Sequence, residues 1–248
     1  MKKIALFLAL FVVVMGSCSK MERNEKKYVK GMQSEDIETS TAAFNDFCQW
    51  MQKDQETMTY DFPLMKKEFG MKVVSSPDSL VRCYSWVTNN NGKEVFYASI
   101  IQWLVGKAFV AYSGPLDFVL ANRKTDLKNY SSFAHSIDTI FMISKANVPV
   151  YLIAQSYYDD GVRRAYVSAS RINGVKLSLV PFFFDGMEVA GNADFVDDGK
   201  VSIGDLFKWD DKAGKFYAYQ TDDDNHIIPG KYTIYVLGEN RFSRLPDE

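Results

Sequence analysis

Most of the chain consists of short apolar and aromatic runs separated by turn-forming residues, a pattern typical of β-strands. The clearest case is Val162–Ile172, where small apolar and polar side chains alternate along the run. Asn173-Gly174 follows it, and this dipeptide is a strong signal for a two-residue hairpin turn. We therefore predict that Val175–Phe184 returns as the partner strand, with Pro181 at an edge or a bulge because proline lacks an N–H.

Further strands are predicted where similar runs end at glycine, asparagine or aspartate. They are Leu80–Val87, Glu94–Val105, Lys107–Ser113, Ile137–Ser144, Val148–Tyr158, Leu206–Trp209, Lys215–Tyr219, Lys231–Leu237 and Arg241–Leu245. Residues 121–136 are polar and are expected to form a long loop or a short helix. The predicted fold class is mainly β, with an antiparallel meander arranged as a sandwich or as propeller-like sheets.

One or two helices are expected before the strands. Residues 34–56 carry apolar residues at helical spacing, and Ser34 is a candidate N-cap. A short second helix is predicted at Pro63–Phe69, because proline suits the first helical position and Gly70 suits the end. The apolar stripe of the longer helix is interpreted as part of the core.

The N-terminus has the ordered parts of a secretion signal. Lys2 and Lys3 form a positive start, and the twelve residues Ile4–Met15 form an unbroken apolar run. A helix that crosses a bilayer core needs roughly 20 apolar residues. A cleaved signal peptide over residues 1–17 is therefore favoured over a transmembrane anchor.

Met15-Gly16-Ser17-Cys18 resembles the bacterial lipobox, in which an apolar residue and two small residues precede a cysteine. The resemblance implies that Cys18 receives a diacylglycerol, that the chain is cut before it and that the new N-terminus is acylated. Several acyl chains would anchor the protein durably, since each buried CH₂ contributes about 0.8 kcal/mol. Cleavage elsewhere, which would release a soluble periplasmic protein, is the alternative.

The mature chain is expected to have two parts, a lipidated, solvated tether over residues 18–33 and a β-rich globular domain over residues 34–248. Removal of residues 1–17 takes away two lysines and moves the formal net charge from −2 to −4. This mild acidity argues against nucleic acid as a partner, because nucleic acid calls for a basic face. Hydrophobic residues make up 47% of the chain, which is sufficient for a packed core.

A second resemblance concerns the body of the chain. Tyr84-Ser85-Trp86, the glycine-containing turn after it and the closing aromatic hairpin around Lys231–Leu237 are similar to uncharacterised secreted lipoproteins of Bacteroidota. That resemblance implies a cell-envelope location, as an outer-membrane lipoprotein that faces the periplasm or the surface. It carries no activity over to this chain.

Two cysteines remain besides Cys18, and their pairing is open from sequence alone. Cys48 and Cys83 could form a disulfide in an oxidising periplasm. Two buried free thiols are favoured, because a domain of this size does not need a disulfide for stability.

Candidate catalytic residues are few and scattered. The two histidines, His135 and His226, are not spaced as a metal-binding pair, and no HExxH or GxSxG motif occurs. Glycosidases need two carboxyl groups about 5–10 Å apart. Adjacent carboxylates occur at Asp159/Asp160, Asp197/Asp198, Asp210/Asp211 and Asp222–Asp224, but each set is interpreted as part of a turn.

One acidic stretch resembles the calcium loop of EF-hands and dockerins. Asp194, Asp198, Gly199, Ser202 and Asp205 match the first, fifth, sixth, ninth and last positions of that loop. The third position is a valine, which supplies no side-chain oxygen. An Asp-Gly turn between two strands is therefore favoured over a calcium site.

Exposed aromatic rings could form a carbohydrate platform, since sugars stack on flat rings. Tyr157, Tyr158 and Trp209 lie beside predicted turns and are the first candidates, although aromatic residues in strands usually fill a core.

The leading hypothesis is a membrane-anchored lipoprotein with a non-enzymatic binding or scaffold domain, whose partner besides lipid is a glycan or an envelope protein. One alternative is a secreted, glycosidase-like hydrolase using carboxylates of residues 185–224. Another is an accessory subunit that docks through Asp210–Asn225. No catalytic, cofactor-binding or metal-ligating residue is assigned.

Overall fold

The computed structural model describes residues 20–90, 95–113, 136–144, 148–159, 162–183, 189–196, 201–239 and 241–245. Within them, thirteen strands follow a group of helices, which confirms the mainly β fold class with N-terminal helices. The predicted signal peptide, Cys18 and residues 121–135 of the loop expected at 121–136 lie outside the described residues, and Ser136 is the first residue of a strand.

Residues 20–32 form a helix, α1, where the sequence analysis placed a solvated tether. Its inner face buries Met21, Val29 and Met32 in a core shared with the next helix. The prediction of a tether is therefore wrong for residues 20–32. The folded part of the chain begins no later than two residues after Cys18.

Glu25 also lies on the inner face of α1, between Met21 and Val29, and is fully buried. Its Oε2 accepts a hydrogen bond from the Tyr60 hydroxyl at 2.8 Å, and its Oε1 accepts one from the backbone N–H of Met65 at 2.8 Å. A buried carboxylate is tolerated only where donors satisfy it. The carboxylate interrupts the apolar stripe of α1, and for that reason the sequence pattern of this segment resembles that of a polar linker.

The other helices agree closely with the sequence pattern. α2 (Ile37–Lys53) is the longer predicted helix, but Asp36 is its N-cap and accepts a hydrogen bond from the N–H of Thr39 at 2.9 Å. A 3₁₀ turn leads to α3 (Pro63–Phe69), which ends at Gly70 with a φ of 65°, a conformation that glycine adopts readily. None of the described helices combines the length and apolar character needed to cross a bilayer.

The strands form antiparallel ladders throughout. In chain order they are β1 (Lys72–Ser75), β2 (Val81–Asn90), β3 (Val95–Val105), β4 (Lys107–Ser113), β5 (Ser136–Ile143), β6 (Val150–Asp159), β7 (Val162–Asn173), β8 (Lys176–Leu179), β9 (Val189–Val196), β10 (Phe207–Asp210), β11 (Lys215–Thr221), β12 (Ile227–Leu237) and β13 (Phe242–Arg244). A single helical turn, α4 (Ile203–Leu206), precedes β10.

Three sheet units result from the pairing. β1 to β4 pair in sequence order and form the first half-sheet. β5, β6 and β7 pair in order, β8 and β9 both pair with β7, and these five strands form the second half-sheet. A single residue pair, Val95 with Tyr158, joins the two halves. β10 to β13 form a separate terminal sheet.

The predicted hairpin after β7 is present with its turn one residue later. Asn173 pairs with Lys176, so Gly174 and Val175 form the two-residue loop. Gly174 has a φ of 57°, which a glycine at the first loop position permits. β8 ends at Leu179, before Pro181, so this proline lies outside the strand rather than at an edge or a bulge.

Three apolar clusters separate four layers. The first lies between the helices and the first half-sheet, the second between the two half-sheets, and the third between the second half-sheet and the terminal sheet. Trp86 and Ile100 belong to the first cluster, Val81 and Ile153 to the second, and Phe216 to the third. The molecule is therefore a stack of three sheets with helices covering one end, a sandwich with one more layer than usual.

The two cysteines in the described chain are free thiols, as favoured. They lie in different clusters, Cys48 under the helices and Cys83 between the half-sheets. Burial raises the pKa of both thiols above the ordinary cysteine range. Both therefore behave as small core residues.

Gly31 allows α1 and α2 to approach closely, since a β-carbon there would lie 2.5 Å from the Cβ of Ala43. We predict that Gly31→Ala lowers the free energy of unfolding by about 1–3 kcal/mol. This loss is expected although alanine is favoured over glycine inside a helix by about 1 kcal/mol. Urea unfolding measures it. Adding Ala43→Gly should restore much of the loss, and a single Gly31→Ala variant as stable as the parent would contradict the close contact.

Candidate binding groove between the N-terminal helices

A groove of about 510 Å³ lies between α1 and α2. α1 contributes Lys20, Asn24 and Tyr28, which follow one another at a spacing of four residues and therefore share one face. The facing side consists of the last two turns of α2 and its C-cap, with Asp46, Gln49, Trp50, Lys53 and Asp54. Both walls thus come from regular helices rather than loops.

Aromatic rings form the floor of the groove. Tyr28 stacks on Trp50 with centroids 5.4 Å apart and planes 30° apart, and both meet Phe47 edge-on. Trp50 is 7% exposed, and its indole N–H donates to Asp54 Oδ2 at 3.4 Å. The rings are covered by their neighbours, so they give the groove a rigid base and little open ring face.

Charged and amide side chains line the rim. Lys20 Nζ lies 3.2 Å from Asp54 Oδ2, and Lys53 Nζ donates to Gln49 Oε1 at 3.4 Å. Burial, and after it the charge of Asp46, raises the pKa of the Tyr28 hydroxyl, which therefore stays protonated at neutral pH. Two ammonium groups balance two carboxylates among the lining residues, so the groove suits an uncharged ligand that offers several hydrogen-bonding groups.

A second polar cluster surrounds Asp138, whose side chain is 5% exposed. Asp138 Oδ2 accepts a hydrogen bond from Ser156 at 2.7 Å and lies 3.5 Å from Arg163 Nη2. Its Oδ1 accepts one from Ser136 at 3.2 Å and lies 3.6 Å from Lys72 Nζ. The pairing of β5 with β6 shifts register between Ile137 and Thr139, which leaves Asp138 as the extra, bulged residue.

This cluster is closed by its own contacts. Arg163 also donates to Ser156 at 3.0 Å, and its guanidinium lies 5.8 Å from the centre of the Phe195 ring. Among these groups only Lys72 is well exposed, at 62% of its side chain. The bonds of Asp138 run to groups on β1, β5, β6 and β7, so the cluster ties strands together.

Three of the described carboxylates of residues 185–224 accept hydrogen bonds within their own turns. Asp205 accepts hydrogen bonds from the hydroxyl and N–H of Ser202, which lower its pKa, and Asp210 accepts one from the N–H of Ala213 at 2.9 Å. Asp222 accepts hydrogen bonds from the backbone N–H groups of residues 224 and 226. This confirms the turn interpretation for Asp210 and Asp222.

His226 and the calcium-like loop take part in some of these turn contacts, through the N–H of His226 and through Ser202 and Asp205. His226 is exposed, with Nδ1 3.7 Å from Asp222, while His135 lies outside the described residues. Asp194 is part of β9, and Asp198 and Gly199 lie outside the described residues. The described part of the chain contains no group of three or more metal-ligating side chains. The preference for an Asp-Gly turn over a calcium loop stays a prediction.

Two of the three rings predicted for a sugar platform can be placed in the structure. Tyr157 is half-buried beneath Arg164, whose guanidinium lies 5.7 Å from its ring centre. Trp209 packs against the third cluster and meets Phe242 edge-on at 5.8 Å. The side chain of Tyr158 lies outside the described residues. Both described rings are half-buried rather than exposed, because Arg164 lies over Tyr157 and Phe242 packs against Trp209.

Sequence reasoning missed the groove altogether. Its only local signal in the sequence is the four-residue spacing of Lys20, Asn24 and Tyr28. This spacing indicates a shared face only if the segment is known to be helical. Comparison of the chain with protein-family models, with curated proteins and with solved structures gives no significant match.

We predict that Asp138→Ala lowers the free energy of unfolding by about 3–5 kcal/mol, because it leaves the largely buried Arg163 without its carboxylate. Urea unfolding measures the effect. Asp210→Ala is the matched control: it removes an exposed carboxylate with one turn hydrogen bond and should cost about 1 kcal/mol or less. Equal losses of unfolding free energy in both variants would show that the Asp138 cluster stabilises the fold no more than an exposed turn contact does.

Proposed function

We propose that this chain is a cell-envelope lipoprotein, anchored through Cys18, whose folded part is a non-enzymatic binding module. The observation that carries the proposal is the position of the groove. Lys20, two residues after the lipobox cysteine, already lines it. An anchored Cys18 would therefore hold the groove beside the membrane surface with almost no intervening chain.

The groove supports binding of an uncharged, hydroxyl-rich ligand, of which a glycan is the leading example. Asn24 and Gln49 present amide groups that can donate and accept, and Asp46 presents acceptors. These hydrogen-bonding groups favour recognition of such a ligand.

The hydrolase alternative has less support from the geometry. Among the described acidic residues between 201 and 224, Asp205, Asp210 and Asp222 are exposed and accept hydrogen bonds within their own turns. The accessory-subunit alternative, with docking through Asp210–Asn225, stays a prediction.

Lipidation is tested directly on the full chain expressed in a bacterial host. We expect the N-terminal peptide to begin at Cys18 and to carry the mass of a diacylglycerol and a further acyl chain. Cys18→Ser should abolish both the added mass and the membrane association. A parent chain that is cleaved elsewhere, or that lacks added lipid, would overturn the anchoring proposal.

Ligand binding is tested by thermal unfolding of the full chain against a panel of envelope and dietary glycans. A ligand at 100 times its dissociation constant should stabilise the fold by about 2.7 kcal/mol. Gln49→Ala should abolish the shift produced by an active glycan. Gln52→Ala removes an exposed amide of α2 that does not line the groove and should leave the shift intact. A shift lost equally in both variants, or no shift with any glycan, would reject the groove as a glycan site.

A further inference from the structure

The outer face of α1 is uniformly basic. Its members are the five exposed residues Lys20, Arg23, Lys26, Lys27 and Lys30, which we call the basic face. At 3.6 residues per turn, they fall within an arc of about 120° on the side of the helix opposite to its buried residues. The face is about 15 Å long, from Lys20 to Lys30.

Acidic groups are nearly absent from this face. Of the two glutamates of α1, Glu25 points inward and is satisfied by α3 and Tyr60, and Glu22 lies at the border of the face. Asp54 offsets part of the charge of Lys20 at 3.2 Å. The exposed acids Glu35, Asp36 and Glu38, around the start of α2, lie beyond the end of α1 that is farther from Cys18.

The position of this face along the chain suggests its partner. Cys18 and Lys20 are two residues apart, a span of at most about 7 Å in an extended chain. Basic residues within a Debye length of an anionic bilayer are attracted to its headgroups, and clusters of four to eight on a helix beside an anchor bind such lipids. Anchoring at Cys18 would place Lys20 within that distance, and the rest of the basic face reaches it when α1 lies along the bilayer.

We propose that the basic face of α1 docks on anionic phospholipid headgroups and fixes the orientation of the domain on the membrane. This inference rests on the proposed anchoring at Cys18. Docked this way, α1 lies along the bilayer, and the groove opens at the boundary between headgroups and solvent. The stacked sheets extend away from the membrane behind the helical layer.

The test uses the lipidated full chain in vesicles of phosphatidylcholine, with or without phosphatidylglycerol. Lysine acetylation read by mass spectrometry reports the exposure of each amine. At low salt, phosphatidylglycerol should reduce labelling of Lys20, Lys26 and Lys27 severalfold, and high salt should reverse the protection because it shortens the screening length. Lys208, on the terminal sheet, should be labelled equally in both vesicles.

Two charge-matched variants separate docking from net charge. The first carries Lys26→Glu, Lys27→Glu and Lys30→Glu, and it should lose the protection of Lys20 by phosphatidylglycerol. The second carries three Lys→Glu substitutions at exposed positions of the sheets and of a turn, Lys176→Glu, Lys212→Glu and Lys231→Glu, and should keep this protection.

The outcomes distinguish the two proposals. If the N-terminal peptide carries no lipid, anchoring itself fails. If the lipid is present but labelling of the basic face is the same in both vesicles, only the docking inference is overturned. Equal loss of protection in both variants would also overturn it, because net charge alone would then account for the attraction.

Discussion

The amide of Gln102 is fully buried between the helical layer and the first half-sheet, where it forms three hydrogen bonds. It donates to the Met51 carbonyl at 2.7 Å and to the Thr57 hydroxyl at 2.8 Å, and it accepts from the Tyr84 hydroxyl at 2.6 Å. Arg82 adds a bond from its guanidinium to the Thr57 carbonyl at 3.1 Å. A half-satisfied network at this depth would cost more than an apolar core, so the end of α2 has one permitted position on β2 and β3.

That constraint extends to the groove. Because the network fixes the C-terminal end of α2, it also fixes the positions of Trp50 and Asp54. Tyr28 of α1 can therefore stack on the indole of Trp50. Glu25 then joins α1 to α3, so three helical segments form one rigid layer. A ligand site on this layer would be preorganised, and a lipid attached two residues before α1 would be coupled to the domain without a flexible spacer.

The strands and the short helix were largely predictable from sequence. Alternation of apolar and polar residues, together with the glycine and asparagine turns, indicates β7, and Pro63 with Gly70 delimits α3. These signals are local, because they depend on backbone preferences within a few residues. The interpretation failed where a buried charge replaced an apolar residue, as at Glu25, and where aromatic rings beside turns were covered by distant strands, as at Trp209.

The sequence by itself determined the β-rich class, most strand positions, the free thiols favoured at Cys48 and Cys83 and the expectation of a lipidated N-terminus. Tertiary structure alone decided that residues 20–32 are helical and packed, that three sheets stack behind the helices, and that Asp138 is enclosed by groups from four strands. The reason is physical: side-chain periodicity reports which face of an element is buried, but not which element covers it. A buried carboxylate can be explained only once the structure shows which residues, far away in the chain, donate hydrogen bonds to it.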